Sequence, residues 1–298
     1  MPSIAATMAS SPARAPTAPE LTFRLTPVEQ RLITIGVMLA AFALVGSLFG
    51  AEIAQWFGIH LNAHGHTRVH AHGHPFIDAR LLWGVPNALD VLSNLAFVPM
   101  GLAGLWALHR APSAHSAARQ SAAVFFIGLL LTCVSSSVYH WAPSAWGLAV
   151  DRAGMAVAFA GVLGLATAER ISLRAAPCVC AAVLLAGLLA IGLNYAVGVM
   201  APWIAVQFGG MAVVLWAAAQ PRRAGALGVR WDAVIAIYVA AKCLELGDEA
   251  VFHATGSLVS GHSLKHIAAS LAALPVILAL RHNRQHGVPV TVWFINKD

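Results

Sequence analysis

The sequence predicts an all-α, polytopic membrane protein with eight spans, and three observations predict it. The chain is 59% hydrophobic and only 10% charged, where a water-soluble domain carries about 25% charged residues. Runs such as LITIGVMLAAFALVGSLFG (32–50) and APWIAVQFGGMAVVLWAAA (201–219) reach the roughly 20 apolar residues that cross a bilayer. The cations between such runs alternate in abundance from one loop to the next. Only helices and closed barrels satisfy the backbone in lipid, and runs of this length are helical.

In chain order, residues 1–27 are rich in Ala, Ser and Pro, as in ASSPARAPTAPE, a composition expected to form a disordered tail. The tail lacks the basic, apolar, small-residue order of a cleaved signal peptide. The apolar run after it, within 28–58, is therefore expected to be retained as a span. Eight spans are expected near 31–50, 86–108, 120–141, 147–168, 175–194, 201–219, 231–252 and 262–280. Pro and Gly punctuate the connections, as in WAPSAWG and AVGVMAP. A C-terminal tail, 282–298, closes the chain.

Charge sets the expected orientation. Arg14, Arg24 and Arg31 precede the first span, Arg110 and Arg119 follow the second, and Arg170 and Arg174 follow the fourth. Arg222, Arg223 and Arg230 follow the sixth, and Arg281, Arg284 and Lys297 follow the eighth. These thirteen share one side, and the other side holds Arg68 and Arg80. That asymmetry predicts an even number of spans with both termini cytoplasmic. The net charge of +6 then lies in loops rather than in a patch, so no nucleic-acid partner is expected. No protein partner is expected either. The topology and the Ala/Gly-rich makeup suit a bacterial inner membrane.

With this topology the third span ends near His140, the fourth begins near Asp151, and the eighth begins near GHSLKH, all on the outer, periplasmic side. Ser136 and His140 are four residues apart and share a helix face, as do His262 and His266. Either pair alone is a weak signal, because histidines at helix ends often only hydrogen-bond at the interface. Their joint placement is stronger, since ionisable groups within membrane helices are costly and usually face an interior site. Three imidazoles with an open position form a common catalytic zinc shell. A nearby carboxylate, Asp151, can orient a ligand or accept a proton from water. The Ser136 hydroxyl could donate to the oxyanion that develops in acyl transfer.

At these residues the chain resembles the alkaline ceramidase family of the CREST superfamily of membrane hydrolases. The match consists of SSSVYH (135–140), Asp151 eleven residues after His140, SGHSLKH (260–266), and PNALDVLSNLAF (86–97) at the first core helix. It covers roughly 76–281, a seven-helix domain, with 28–58 as an N-terminal addition. The resemblance implies zinc on His140, His262 and His266, with Ser136 and Asp151 as catalytic groups beside it. It also implies a lipid amide substrate, ceramide or a relative, cleaved to a long-chain base and a fatty acid. The family's eukaryotic members carry an acidic calcium-binding segment before the first core helix. Here that segment reads FIDARLLWGVPN, with Asn87 standing about where the family has a glutamate. Calcium at Asp78 or Asn87 is thus a weaker expectation than zinc.

Two other readings compete. A receptor of the same superfamily, related to the progestin and adipoQ receptors, would carry the zinc without hydrolysis. A metal transporter is suggested by the loop HLNAHGHTRVHAHGHPF, which carries His60, His64, His66, His70, His72 and His74 between 59 and 75. Transporter ligands belong near the midplane on broken helices, whereas the ligands predicted here gather at one face. The loop's composition suggests transient zinc capture, and a solvated loop without a task is the plainer reading. An irregular tract holds geometry poorly, so its histidines are not expected to be the site's ligands.

Of the remaining polar groups, Asp90, Ser93 and Asn94 on one helix are expected to be buried hydrogen-bond partners, as are Lys242, Glu245 and Asp248 on another. Some of these could stand behind the metal. Arg152 is expected to reach the interface. The four cysteines, Cys133, Cys178, Cys180 and Cys243, lie in apolar segments and read as packing residues.

Overall fold

The computed structural model describes residues 24–56, 76–111 and 114–286. The expectations for the tail before residue 24, for the histidine-rich loop at 59–75 and for the chain from 287 onward lie outside the described residues. The described residues are helical with no strand, apart from one isolated bridge between Leu82 and Val85. The fold class is the predicted one, an all-α polytopic membrane protein.

The helices are α1 (Pro27–Trp56), α2 (Ala88–Ser93), a 3-10 turn (Asn94–Ala96), α3 (Phe97–His109), α4 (Ser116–Trp141), α5 (Ala145–Arg170) and α6 (Ala175–Val197). After them come α7 (Ala201–Ile204), a π turn (Ala205–Gly209), α8 (Gly210–Ala218), α9 (Trp231–Leu246), α10 (Asp248–Ala254), α11 (Gly261–Leu271) and α12 (Leu274–His286). Singly or joined across such turns, they give seven segments long and apolar enough to span a membrane. These match seven of the eight predicted spans.

The remaining prediction, 231–252, is divided between two helices. Its helix α9 has 16 residues, roughly 24 Å at 1.5 Å per residue, against a hydrocarbon core of about 30 Å. The chain breaks at Gly247 and resumes as α10. The break turns the backbone at Asp248, whose carboxylate is then used at the start of α11 (below).

α4 and α5 form the centre of the bundle. In lipid, helix association rests on close packing of small residues rather than on burial from water, and their contact shows this. A Cβ at Gly161 would stand 2.2 Å from the Phe125 nitrogen, and one at Gly154 would stand 2.3 Å from Ser135 Oγ. Glycine at these two positions lets the helices approach backbone to backbone, which brings the Ser136–His140 turn beside Asp151. Around them pack Phe125, Phe126, Phe159, Leu163 and Trp231.

The N-terminal helix is peripheral. Its apolar window is 0% buried, against 61% for α5. It is held at one end by Glu29, which is buried and accepts from Arg174 Nε at 2.7 Å. Packing of the cysteines is only partly as expected. Cys133 is buried, whereas Cys178 and Cys243 are exposed on outward faces, where a thiol is simply a small apolar group.

Candidate metal centre

Local sequence fixes each ligand's helix. Ser144 caps α5 by accepting the Gly147 N–H at 3.0 Å, and Ser260 caps α11 by accepting the Ser263 N–H at 2.9 Å. Such caps satisfy N–H groups that have no partner inside the helix. The first turn of α11 is held further by Asp248, which accepts the His262 N–H at 2.8 Å. Gly261 is required there, since a Cβ would meet the Leu244 carbonyl at 2.2 Å. At the end of α4, the Asn87 amide donates to the His140 carbonyl at 2.7 Å.

These constraints bring His140, His262 and His266 together. All three are buried, and one ring nitrogen from each lies within 4.8 Å of the others. His140 Nε2 and His262 Nε2 stand 3.3 Å apart, and the ring centroids are separated by 4.8, 4.9 and 5.1 Å. Three imidazoles turned toward one point fit a divalent metal, which is held by neutral ring nitrogens. Two like donors at 3.3 Å gain little from each other and much from a shared cation. Among the described residues this is the one group of three or more His, Cys, Asp or Glu so arranged.

Neighbouring groups orient the rings. Ser93 donates to the Asp90 carbonyl at 3.2 Å, which leaves its lone pair to accept from His266 Nδ1 at 2.8 Å. With the proton on Nδ1 in this contact, Nε2 is free to ligate, an arrangement typical of metal-bound histidine. Asp90 is fully buried, and its Oδ1 accepts from Ser263 Oγ at 2.6 Å and Ser260 Oγ at 3.2 Å. Phe76 covers the site, its ring 4.0 Å from that of His262 and 4.5 Å from that of His140. Replacing Ser93 with alanine is expected to weaken divalent metal binding by about 10- to 100-fold, the usual effect of losing such a partner. Competitive titration with a chelator measures this, and an unchanged affinity would show that Ser93 does not orient His266.

Ser136 and Asp151 reach the same place from α4 and α5. Together with His266 they line one end of a cavity of about 150 Å³. The Ser136 hydroxyl faces the Asp151 carboxylate, and Asp151 Oδ1 is buried with no hydrogen-bond partner. An orphaned carboxylate oxygen of this kind is costly unless a ligand or water serves it. The cavity continues away from the histidines along two stripes of matched spacing. These are Phe125, Leu129, Thr132 and Ser136 on α4, and Asp151, Met155, Ala158 and Val162 on α5. The eleven steps from Phe125 to Ser136 span roughly 16 Å at 1.5 Å per residue.

One weaker expectation meets competing partners, and another needs correction. Both Asp78 oxygens accept from Arg80, at 2.8 Å from Nε and 2.6 Å from Nη2. That hydrogen bonding holds the Arg80 guanidinium above its ordinary pKa. Asp78 is thus paired with an arginine and the Asn87 amide nitrogen with a backbone carbonyl, which keeps calcium at these residues the weaker expectation. Arg152 does not reach out to the interface. It is buried, donates to Asn194 Oδ1 at 2.6 Å, and lies 5.5 Å above the Trp203 ring.

Sequence reasoning left Phe76 and Lys265 without a role, and expected only buried hydrogen bonding of Lys242 and Glu245. The signal for the last three was their charge inside apolar segments. Lys242 and Lys265 both pair with Glu245, the latter at 2.7 Å, and all three line the cavity. No protein-family model, no curated protein and no solved structure matches this chain.

Proposed function

We propose that the protein is a zinc-dependent membrane amidase that hydrolyses the N-acyl bond of ceramide or a related lipid amide. The observation that carries this reading is that His266, one of the three clustered histidines, lines a largely apolar cavity together with Ser136 and Asp151. An acyl chain laid in this cavity along the α4 and α5 stripes would bring its carbonyl to Ser136 and Asp151. The resemblance of SSSVYH, Asp151 and SGHSLKH to alkaline ceramidases supports the same chemistry.

His140, His262 and His266 would hold the zinc. Bound there, zinc supplies Lewis acidity and makes water a nucleophile at neutral pH. Asp151 accepts a proton as the water oxygen bonds to the amide carbon. The carbonyl π electrons move onto oxygen, and the Ser136 hydroxyl donates to that developing charge. When the tetrahedral centre collapses, the carbonyl re-forms and the C–N bond breaks. Asp151 returns its proton to the departing amine, giving a fatty acid and a long-chain base.

The charge asymmetry of the loops supports an orientation with both termini cytoplasmic and the histidines toward the periplasmic face. Cysteines introduced at 145 and 225 should then label from outside and inside respectively. The opposite pattern would overturn the orientation alone. The amidase reading is tested by metal analysis of purified protein, joined to a screen of ceramides and other N-acyl lipids for released fatty acid. Zinc-loaded protein that cleaves none of them would favour the receptor reading.

A further inference from the structure

Two lysines and one glutamate face the cavity without a part in the proposed hydrolysis. Lys242 and Glu245 lie one turn apart on α9, and Lys265 lies on α11 between His262 and His266. Glu245 accepts from both lysines, through Oε1 from Lys265 at 2.7 Å and through Oε2 from Lys242. Each ammonium has three N–H donors, and one on each is used by this pairing. The side chains are 21% (Lys242) and 19% (Lys265) exposed, and both line the cavity.

The other charged groups lining this cavity are Glu245 and Asp151. Asp90 and Asp248 stand behind the histidines, held by Ser260 and Ser263 and by the His262 N–H. Arg152 is turned away toward Asn194. Lys242 also lies 5.6 Å over the Phe208 ring, beside the π turn. Cations within an apolar segment are costly unless they serve a ligand or a partner. Here two cations share one partner and line the same cavity as Asp151, the group that meets the scissile amide in the proposed hydrolysis. A neutral amide lipid offers only weak acceptors to those donors. A carboxylate or phosphate offers charge-assisted hydrogen bonds, roughly twice as strong as neutral ones.

We propose that Lys242 and Lys265, positioned by Glu245, form an anion subsite for an acidic group carried on the amine portion of the substrate. An acidic N-acyl lipid is then the preferred substrate class over a neutral one. This rests on the amidase reading for the position of the amide, and the experiment separates the two.

Full-length, zinc-loaded protein in nanodiscs is tested with two matched lipids, N-palmitoylglycine and N-palmitoylethanolamine. Binding is measured with their ketone isosteres, in which a methylene replaces the amide nitrogen and cleavage cannot occur. Wild type should bind the acidic isostere about tenfold more tightly, equivalent to about 1.4 kcal/mol. Cleavage should show a similar preference in kcat/KM, arising in KM. Lys242→Met and Lys265→Met keep the apolar stem, and each should reduce the preference to about twofold or less. Lys→Arg at either position should restore most of it.

Zinc content checks that each variant is folded. If Lys265→Met loses metal because of its neighbour His266, Lys242→Met on α9 decides. Equal binding of the two isosteres by wild type overturns the subsite, as does a preference that survives both methionine variants. Palmitate displacing either isostere more strongly than the acidic isostere does also overturns it, by assigning the lysines to the released acid. Binding preference without cleavage of either amide, or of any ceramide or N-acyl lipid in the screen above, would instead defeat the amidase reading and leave the anion subsite standing.

Discussion

Alanine at His262 or His266 is expected to strip the purified protein of its divalent metal. Wild type should retain about one ion per chain through dialysis, because three imidazoles converging on a point make a closed set of protein ligands with one position left for water or substrate. With two ligands remaining, affinity should fall far enough for dialysis to empty the site. The two positions test different supports. His262 is fixed through its own backbone by Asp248 at 2.8 Å, and His266 through its ring by Ser93. Each alanine variant should keep its helical circular dichroism, since α11 is capped by Ser260 rather than by either imidazole. The measurement is elemental analysis after gel filtration in detergent. Full metal content in both variants would remove the metal site from His262 and His266. Deleting 60–74 should leave this tightly held ion in place.

Asparagine at Asp151 should separate chemistry from metal holding. The change keeps size and hydrogen-bonding capacity, yet an amide cannot take a proton from water. Asp151 is no ligand in the cluster of three histidines, so metal content should stay at the wild-type level. Amide hydrolysis should fall by about 100-fold or more, the usual scale of general acid–base contributions. Ser136→Ala removes one donor to the oxyanion, for which about 100- to 1000-fold is typical of a well-placed group. That loss should appear in kcat rather than KM, because the hydrogen bond strengthens only as charge develops. Product release from a panel of ceramides and N-acyl lipids, measured beside metal content, decides the matter. Near wild-type rates in both variants would make Asp151 and Ser136 structural and the mechanism wrong.

Much of the architecture was legible in the chain because lipid imposes a simple rule on sequence. A segment that crosses must be long, apolar and helical, and seven predicted spans meet that rule. The segment 231–252 could not be read so plainly. Its mean apolarity suggests a full crossing, but the break at Gly247 depends on what lies across from it. There, Gly261 packs against the backbone of 244 and 248, too close for any side chain. The ligands were legible for a related reason. A histidine pair at i, i+4 marks one helix face, and the two helix ends that bear the three histidines, with the start of α5 near Asp151, share one depth in the predicted topology.

What sequence determined by itself, then, is the local and the periodic: helical spans, their polar interruptions, and which residues share a face. Tertiary structure decided which polar groups meet. It gave Ser93 to His266, Asp248 to the first turn of α11, Arg80 to Asp78, and two lysines to one glutamate. Of these, Ser93–His266, Asp248–His262 and Lys265–Glu245 join residues from different helices, up to 173 positions apart in the chain, whereas Arg80–Asp78 and Lys242–Glu245 are local. Their choice follows from helix crossing and from side-chain packing at glycine contacts such as Gly154 and Gly161. A buried polar group must find a partner, but the chain's periodicity does not say which one. That is settled only when the helices close on each other.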